Sequence, residues 1–169
     1  MNIRLATEAD FDKVMRLINA AFDVERFFKN EDRVNAAMLQ EYFRKGIFLV
    51  TDKDTNAAED AQLTGCIFVE IRPAKGDHPA RAYFGLLSVD PSLQKSGIGR
   101  RLVSAAEEFA RESGAHFMDI TVVNLRTELP SIYEKLGYTI TGTAPFPATQ
   151  MPITQPCHFI CMSKELGHR

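Results

Sequence analysis

Leu86-Leu87-Ser88-Val89-Asp90-Pro91-Ser92-Leu93-Gln94-Lys95-Ser96-Gly97-Ile98-Gly99-Arg100-Arg101-Leu102 is the stretch on which the fold turns. Its first residues read as a strand, Pro91 makes a turn, two glycines shape a loop, and Ile98 opens a helical apolar period. Such a loop aims successive amide N–H groups one way, at the positive end of the helix dipole. Glycine at 97 and 99 keeps Cβ atoms from obstructing a close ligand. Lys95, Arg100 and Arg101 add positive charge beside those amides. The expected ligand is a di-anion such as a pyrophosphate. A Walker loop is excluded, because Lys95-Ser96 precedes the glycine instead of following it. A dinucleotide fold lacks its third glycine, where Leu102 stands, and Asp119 falls inside a strand rather than at its carboxyl end. A helix start that binds nothing is the remaining alternative.

Outward from this segment the periods are clear. Asn2–Ala6 alternates as a strand, and Thr7-Glu8-Ala9-Asp10 fits a capping box. Phe11, Val14, Met15, Ile18 and Phe22 follow at helical spacing. A second helix is expected from Asp32 to Arg44, carrying Val34, Met38 and Tyr42 and stopped by Gly46. Between the two helices, Asp23-Val24-Glu25-Arg26-Phe27-Phe28 either lines a cleft or packs over the core. Ile47–Thr51, Leu63–Ile71 and Ala82–Val89 read as strands, with a polar loop from Asp52 to Ala61. Ile98–Ser113 is a helix with Ile98, Leu102, Ala106 and Phe109 on one face, ending at Gly114. Phe117–Val123 is a strand, and Leu129, Ile132, Tyr133 and Leu136 mark a short helix capped by Gly137. Tyr138–Thr143 and His158–Ser163 close the chain as strands, separated by a loop with four prolines. Hairpins mixed with crossovers predict an α/β (α+β mixed) fold, a mixed central sheet of six to seven strands with helices on both faces.

A length of 169 residues suits one domain, 1–169. Apolar residues at 45% and charged ones at 25% are the globular balance, and a net charge of -2 disfavours nucleic acid or an anionic membrane as partner. Met1–Thr7 shows no secretory pattern, and the apolar runs are too short to span a bilayer. Cys66, Cys157 and Cys161 read as reduced thiols of a cytoplasmic protein. Cys157 and Cys161 flank His158, but that segment alternates like a strand and no second ligand pair exists, so no metal is expected. His78, His116 and His168 are scattered and support no triad.

Gln94-x-x-Gly97-x-Gly99 after Leu87-Ser88-Val89-Asp90-Pro91 resembles the acetyl-CoA motif of the GNAT superfamily of N-acyltransferases. Asn124 and then Ile132-Tyr133-Glu134-Lys135-Leu136-Gly137-Tyr138 are similar to that family's second motif, and the element order matches nearly the full chain. The resemblance implies a GNAT-like acyl-CoA N-acyltransferase fold and an acetyl-CoA-dependent N-acetyltransferase without covalent intermediate or metal. It also implies a primary amine of a small molecule or peptide as acceptor. Leu87, Ser88 and Val89 are then expected to bond the pantetheine arm as an added strand would. The amides of Gln94, Lys95, Ser96, Gly97, Ile98, Gly99 and Arg100 are expected to hold the pyrophosphate. A bulge near Leu86–Ser88 leaves one N–H to polarise the thioester carbonyl, worth about 3–4 kcal/mol. Asn124 is expected beside the pantetheine.

Tyr133 matches the tyrosine that protonates the leaving thiolate; its place on an apolar stripe also suits a core residue. Glu70 is the first candidate for the base that deprotonates the amine and Asp119 the second, and either suits a solvent-facing strand position equally. Tyr83 stands where other relatives carry an acidic residue, so that route is absent; it and Phe27 are candidate acceptor contacts. Asn124 precedes Tyr133 by nine residues, further than the family's usual spacing. Arg126 and Glu128 in that altered turn face the acceptor on this reading, with Arg126 pairing with an acceptor carboxylate, or Glu128 simply complements the helix dipole. A non-catalytic acyl-CoA-binding module on the same fold is the competing class. The sequence leaves open whether two copies form a homodimer.

Overall fold

The computed structural model describes residues 1–53 and 62–167. Seven strands and four helices follow in the order β1 (Ile3–Leu5), α1 (Phe11–Ala21), α2 (Ala36–Lys45), β2 (Ile47–Asp52), β3 (Leu63–Arg72), β4 (Arg81–Val89), α3 (Ile98–Glu112), β5 (Phe117–Val123), α4 (Leu129–Lys135), β6 (Thr139–Pro145) and β7 (His158–Glu165). The hydrogen-bonded order is β1-β2-β3-β4-β5-β7-β6. The sheet is mixed: β4 and β5 are parallel, while β1–β2, β2–β3, β5–β7 and β6–β7 are antiparallel. This is the expected fold class. Past residue 53, the loop expected from Asp52 to Ala61 lies outside the described residues, as does His168. Among the described residues no helix is long and apolar enough to cross a membrane.

The chain divides into two compact units, one of Met1–Val24, Asp32–Glu70 and Phe84–Phe109, the other of Glu25–Glu31, Ile71–Tyr83 and Ala110–Arg169. In the first, Val14, Ile18, Leu39, Phe48, Val50, Ile67 and Leu102 are fully or almost fully buried. Phe68 on β3 meets Tyr42 of α2 edge to face at 4.9 Å, and Phe48 beside it reaches Phe43 at 4.8 Å. On the opposite side of β3, a Cβ added to Gly65 would stand 2.7 Å from Leu102 and 2.9 Å from Ile98. Residues 65 and 68 face opposite ways along a strand, so α2 and α3 cover different faces of β3. Only glycine permits α3 so close. In the second unit Phe28, Met118, Ile120, Tyr138 and Met162 form the core. Here β6 is a terminal strand, mostly exposed, whose register against β7 shifts between Ile140 and Gly142.

Two local expectations are corrected and one is borne out. Helix α2 starts at Ala36 rather than Asp32, because the Asn19 side chain brackets Val34, accepting its N–H and donating to its carbonyl, both at 3.0 Å. Asn35 then caps the helix, its Oδ1 accepting the Met38 N–H at 2.9 Å. The expected capping box of Thr7 and Asp10 is present, with Asp10 accepting the Thr7 N–H at 2.8 Å and the Thr7 hydroxyl also 3.4 Å from the Asp10 carboxylate. The inner face of α3 is Leu102, Val103, Ala106 and Ala110, with Phe109 half-buried, and Ile132 of α4 is exposed.

Arg4 grips Asp10 with two bonds of 2.7 and 2.9 Å. That bond, aided by the Thr7 amide, lowers the Asp10 carboxyl from 3.8 to about 2. A carboxyl with a depressed folded pKa stabilises above its unfolded value and ceases to do so as pH falls through the folded one. We expect roughly 1–2 kcal/mol, discounted because Arg4 is partly exposed, to be lost between about pH 4 and pH 2. Denaturant melts at pH 5 and pH 2.5 check this, and in Asp10→Asn the difference should shrink by that amount.

Candidate functional site

In the first unit the end of β4 leads into a tight turn. Asp90 follows the strand and caps the turn, and its Oδ1 accepts from the Ser92 N–H at 2.9 Å and the Ser92 hydroxyl at 2.8 Å. Those bonds, the backbone one first, hold the Asp90 carboxyl below its ordinary value. The Ser96 hydroxyl donates to the Leu93 carbonyl, and the chain then reverses through two left-handed residues, Lys95 (φ 64°) and Gly97 (φ 88°). Only glycine takes the second of these without strain. The first i→i−4 bond of α3 runs from the Arg101 N–H to the Gly97 carbonyl at 3.1 Å. Helix geometry therefore leaves the amides of Ile98, Gly99 and Arg100 without an intrahelical acceptor. Gln94, Lys95, Ser96, Gly97 and Arg100 are exposed, so anionic groups from solvent can reach this bend.

Gly99 has no such backbone demand. A Cβ there would make ordinary contacts, 3.6 Å from Val89 and 4.0 Å from Leu87. Packing inside the protein does not explain a glycine at this position.

Upstream, Leu86 has a left-handed backbone (φ 53°) in mid-strand, within the Leu86–Ser88 segment where an irregularity is expected. A leucine held there costs on the order of 1–3 kcal/mol. Its carbonyl accepts from the Ser88 hydroxyl at 3.0 Å and from Cys66 Sγ at 3.9 Å. The Ser88 side chain is thus turned inward and occupied, while Leu87 and Val89 project to the other side of the strand. Burial pushes the Cys66 thiol up to about 12, which makes it inert. Glu70 lies half-buried near the end of β3.

The second unit carries the other predicted residues. Asn124 follows β5, and its side-chain oxygen accepts the His158 N–H at 2.8 Å while its own N–H donates to the His158 carbonyl at 3.0 Å. That oxygen is committed to tying the strand ends together, so only the amide nitrogen remains to meet a ligand. The altered turn is closed by bonds from the Arg126 N–H to the Val123 carbonyl and from the Leu129 N–H to the Arg126 carbonyl. Helix α4 then buries Tyr133, edge-on to Tyr138 at 6.0 Å. Burial raises its phenol to about 12, opposed by the Arg126 charge and reinforced by Tyr83. Tyr83 itself lies under the Arg72 guanidinium at 5.0 Å.

Asp119 is held by Arg81 through two bonds of 2.7 Å and accepts from the Ser163 hydroxyl at 2.8 Å. Burial alone would raise it, but the Arg81 and Ser163 bonds and the charges of Arg81 and Arg72 outweigh this and hold it below the usual range. A carboxylate so engaged is a poor proton acceptor. Phe27 is exposed and stacks edge-on against buried Phe28 at 5.0 Å.

Two residues that sequence reasoning left unassigned stand at the centre of this unit. Glu25 accepts from Lys29 at 2.8 Å and from Arg126 at 3.1 Å, and Arg126 also reaches Glu128 at 2.6 Å. The longer turn before α4 is what carries Arg126 to Glu25. The available signal was the Glu25…Lys29 spacing, one helical turn apart amid aromatics. Among the described residues, no group of three or more His, Cys, Asp or Glu could hold a metal ion.

Comparisons with known proteins bear on the family and the fold. The model of the Acetyltransferase (GNAT) family matches residues 11–138. A mycothiol acetyltransferase of Pseudarthrobacter chlorophenolicus is 28% identical over 106 residues, which cover 62% of this chain and 31% of that protein. The chain thus spans about a third of that relative's length. A ribosomal-protein-alanine N-acetyltransferase from Brucella melitensis superposes with a TM-score of 0.72 at 22% identity, covering 98% of this chain and 100% of the other. The structure of the NatC complex bound to Gag peptide and CoA gives 0.70 at 15% identity, covering 99% and 100%. At these identities the structural matches establish the fold.

Proposed function

The chain belongs to the GNAT acetyltransferase family, and from that premise we propose that it is an acetyl-CoA-dependent N-acetyltransferase acting on a primary amine by direct attack. The observation that carries this reading is the bend at residues 94–100. It offers helix N-terminal amides to solvent and has a glycine at 99 that internal packing does not require. A Cβ-free approach of that kind fits a pyrophosphate.

Acetyl-CoA supplies an activated acyl carbon. The amides of Gln94, Lys95, Ser96, Gly97, Ile98, Gly99 and Arg100 hold its phosphates, and the backbone of Leu87, Ser88 and Val89 bonds its pantetheine arm. The kink at Leu86 supplies the N–H that polarises the carbonyl. The Asn124 amide nitrogen donates to the same arm. Tyr133 donates the proton to the departing sulfur, and Glu70 receives the proton from the incoming ammonium, directly or through water. Asp119, fixed by Arg81 and Ser163, is a structural anion rather than the base. Arg126, Phe27 and Tyr83 contact the acceptor. The free cysteines suit a reducing cytoplasm.

Calorimetric titration with acetyl-CoA tests the reading, with saturable binding expected. In Gly99→Ala the Kd should rise at least about tenfold, since a methyl group replaces close backbone contact, equivalent to roughly 1.4 kcal/mol. Its melting temperature should stay within a degree or two, because the methyl finds ordinary contacts. Absence of binding removes the reading. Binding without thiol release from any amine points instead to a non-catalytic acyl-CoA module.

A further inference from the structure

A leucine in the left-handed region is strained and persists only where its surroundings hold it. Two side chains hold Leu86 (φ 53°): the Ser88 hydroxyl donates to its carbonyl at 3.0 Å, and Cys66 Sγ reaches the same oxygen at 3.9 Å. Both side chains are buried. The Ser88 hydroxyl is also a hydrogen-bond partner of the Cys66 sulfur, so the three groups close into one cluster. Cys66 shares its side of β3 with Phe68, the side that α2 covers, while Gly65 faces α3. The Leu86 carbonyl therefore leans toward the α2 side. The Leu86–Leu87 peptide is trans, and a planar trans peptide sends its C=O and N–H in opposite directions. The Leu87 N–H accordingly leans toward the α3 side. There the Leu87 and Val89 side chains come within 4.0 Å of the position a Gly99 Cβ would take. That N–H and the bend at residues 94–100 thus address one side of the sheet.

Building on the acetyl-transfer reading, we propose that Ser88 is a positioning residue whose hydroxyl, backed by the Cys66 thiol, fixes the Leu86 carbonyl and so aims the Leu87 N–H at the thioester oxygen of bound acetyl-CoA. As the amine nitrogen bonds to the acyl carbon, the C=O electron pair moves onto oxygen, and the N–H meets that charge. When the pair returns, the C–S bond breaks and sulfur leaves with its electrons. Ser88 and Cys66 lie behind the backbone and act through it. Serine suits this task, because its short hydroxyl offers a carbonyl two residues back an alternative to strand pairing. Alanine at the same position would leave that carbonyl with the thiol, a weak donor.

Infrared difference spectra of acetyl-CoA, isotope-labelled at the thioester carbonyl, test this without any acceptor amine. Binding to the unaltered protein should lower the carbonyl stretch, the sign of a polarised C=O. In Ser88→Ala the band should return at least halfway to its free position, while the calorimetric Kd for acetyl-CoA stays within about twofold. Turnover with any amine the unaltered protein acetylates should fall about 10–100-fold in kcat, short of the roughly 10²–10³-fold loss of a whole oxyanion donor, with KM for acetyl-CoA little changed. Ser88→Cys, with a weaker donor of similar size, should fall between the two, and it serves where Ser88→Ala fails to fold. Thermal melts verify folding. A merely structural Ser88 would lower the melting temperature and leave the band and kcat in place, which overturns the proposal. So does an unshifted band in the unaltered protein with acetyl-CoA bound, an outcome that leaves the acetyltransferase reading standing. Absence of binding removes both.

Discussion

Replacing Tyr133 with phenylalanine is expected to leave the affinity for CoA unchanged and to lower turnover about 10²–10⁴-fold, the usual contribution of a positioned proton donor. The side chain is buried and its ring packs on Tyr138, so removing only the hydroxyl preserves shape. A phenol at about 12 looks too weak to protonate an ordinary thiolate near 8.5. Desolvation acts on both partners, however. Burial takes the Cys66 thiol of this same chain to about 12, so a coenzyme thiolate excluded from water beside Tyr133 is a comparably strong base. The raised phenol pKa has a second consequence. The acid stays protonated up to about pH 11, so the rate should not fall through pH 9–10 from loss of this proton. Steady-state kinetics with calorimetry measure all three quantities. Turnover within threefold of the unaltered protein removes Tyr133 from the chemistry.

The largest effect on stability is expected at Glu25. In Glu25→Ala the Lys29 and Arg126 cations face each other without their shared anion, and unfolding free energy should fall by about 3–5 kcal/mol. Lys29→Met should cost less, because Arg126 still pairs with Glu25 and the unbranched apolar side chain of methionine fills most of the space beside Phe28. The order of the two variants, read from denaturant melts, is the sharp part of the expectation. Equal losses, or a loss below about 1 kcal/mol for Glu25→Ala, would show that the cluster does not act as a shared-anion unit.

Elements governed by local period were legible from the sequence. β5 runs over the residues its apolar run marked, and α1, α3 and the Gly97 bend follow from spacing and glycine placement. Features fixed by distant partners were not. Asp32–Asn35 reads as a polar helix start, yet the Asn19 side chain on another helix holds Val34 out of the helix. Asp119 looks like a free strand carboxylate until Arg81 on the parallel neighbour is seen beside it. Glu25 and Lys29 sit among phenylalanines that suggest a covering flap, and only the fold brings Arg126, a hundred residues later, onto the same carboxylate. Asn124 was legible as a position but not as a brace for the start of β7.

The slip between Ile140 and Gly142 has a consequence for crowding in the cell. The rim formed by Thr139–Pro145 bears no ionic side chain, the kind of border that invites further chains to add on indefinitely. An arriving copy would meet a broken spacing and then a proline lacking its donor, so growth of ordered fibres from this border stalls at the first rung.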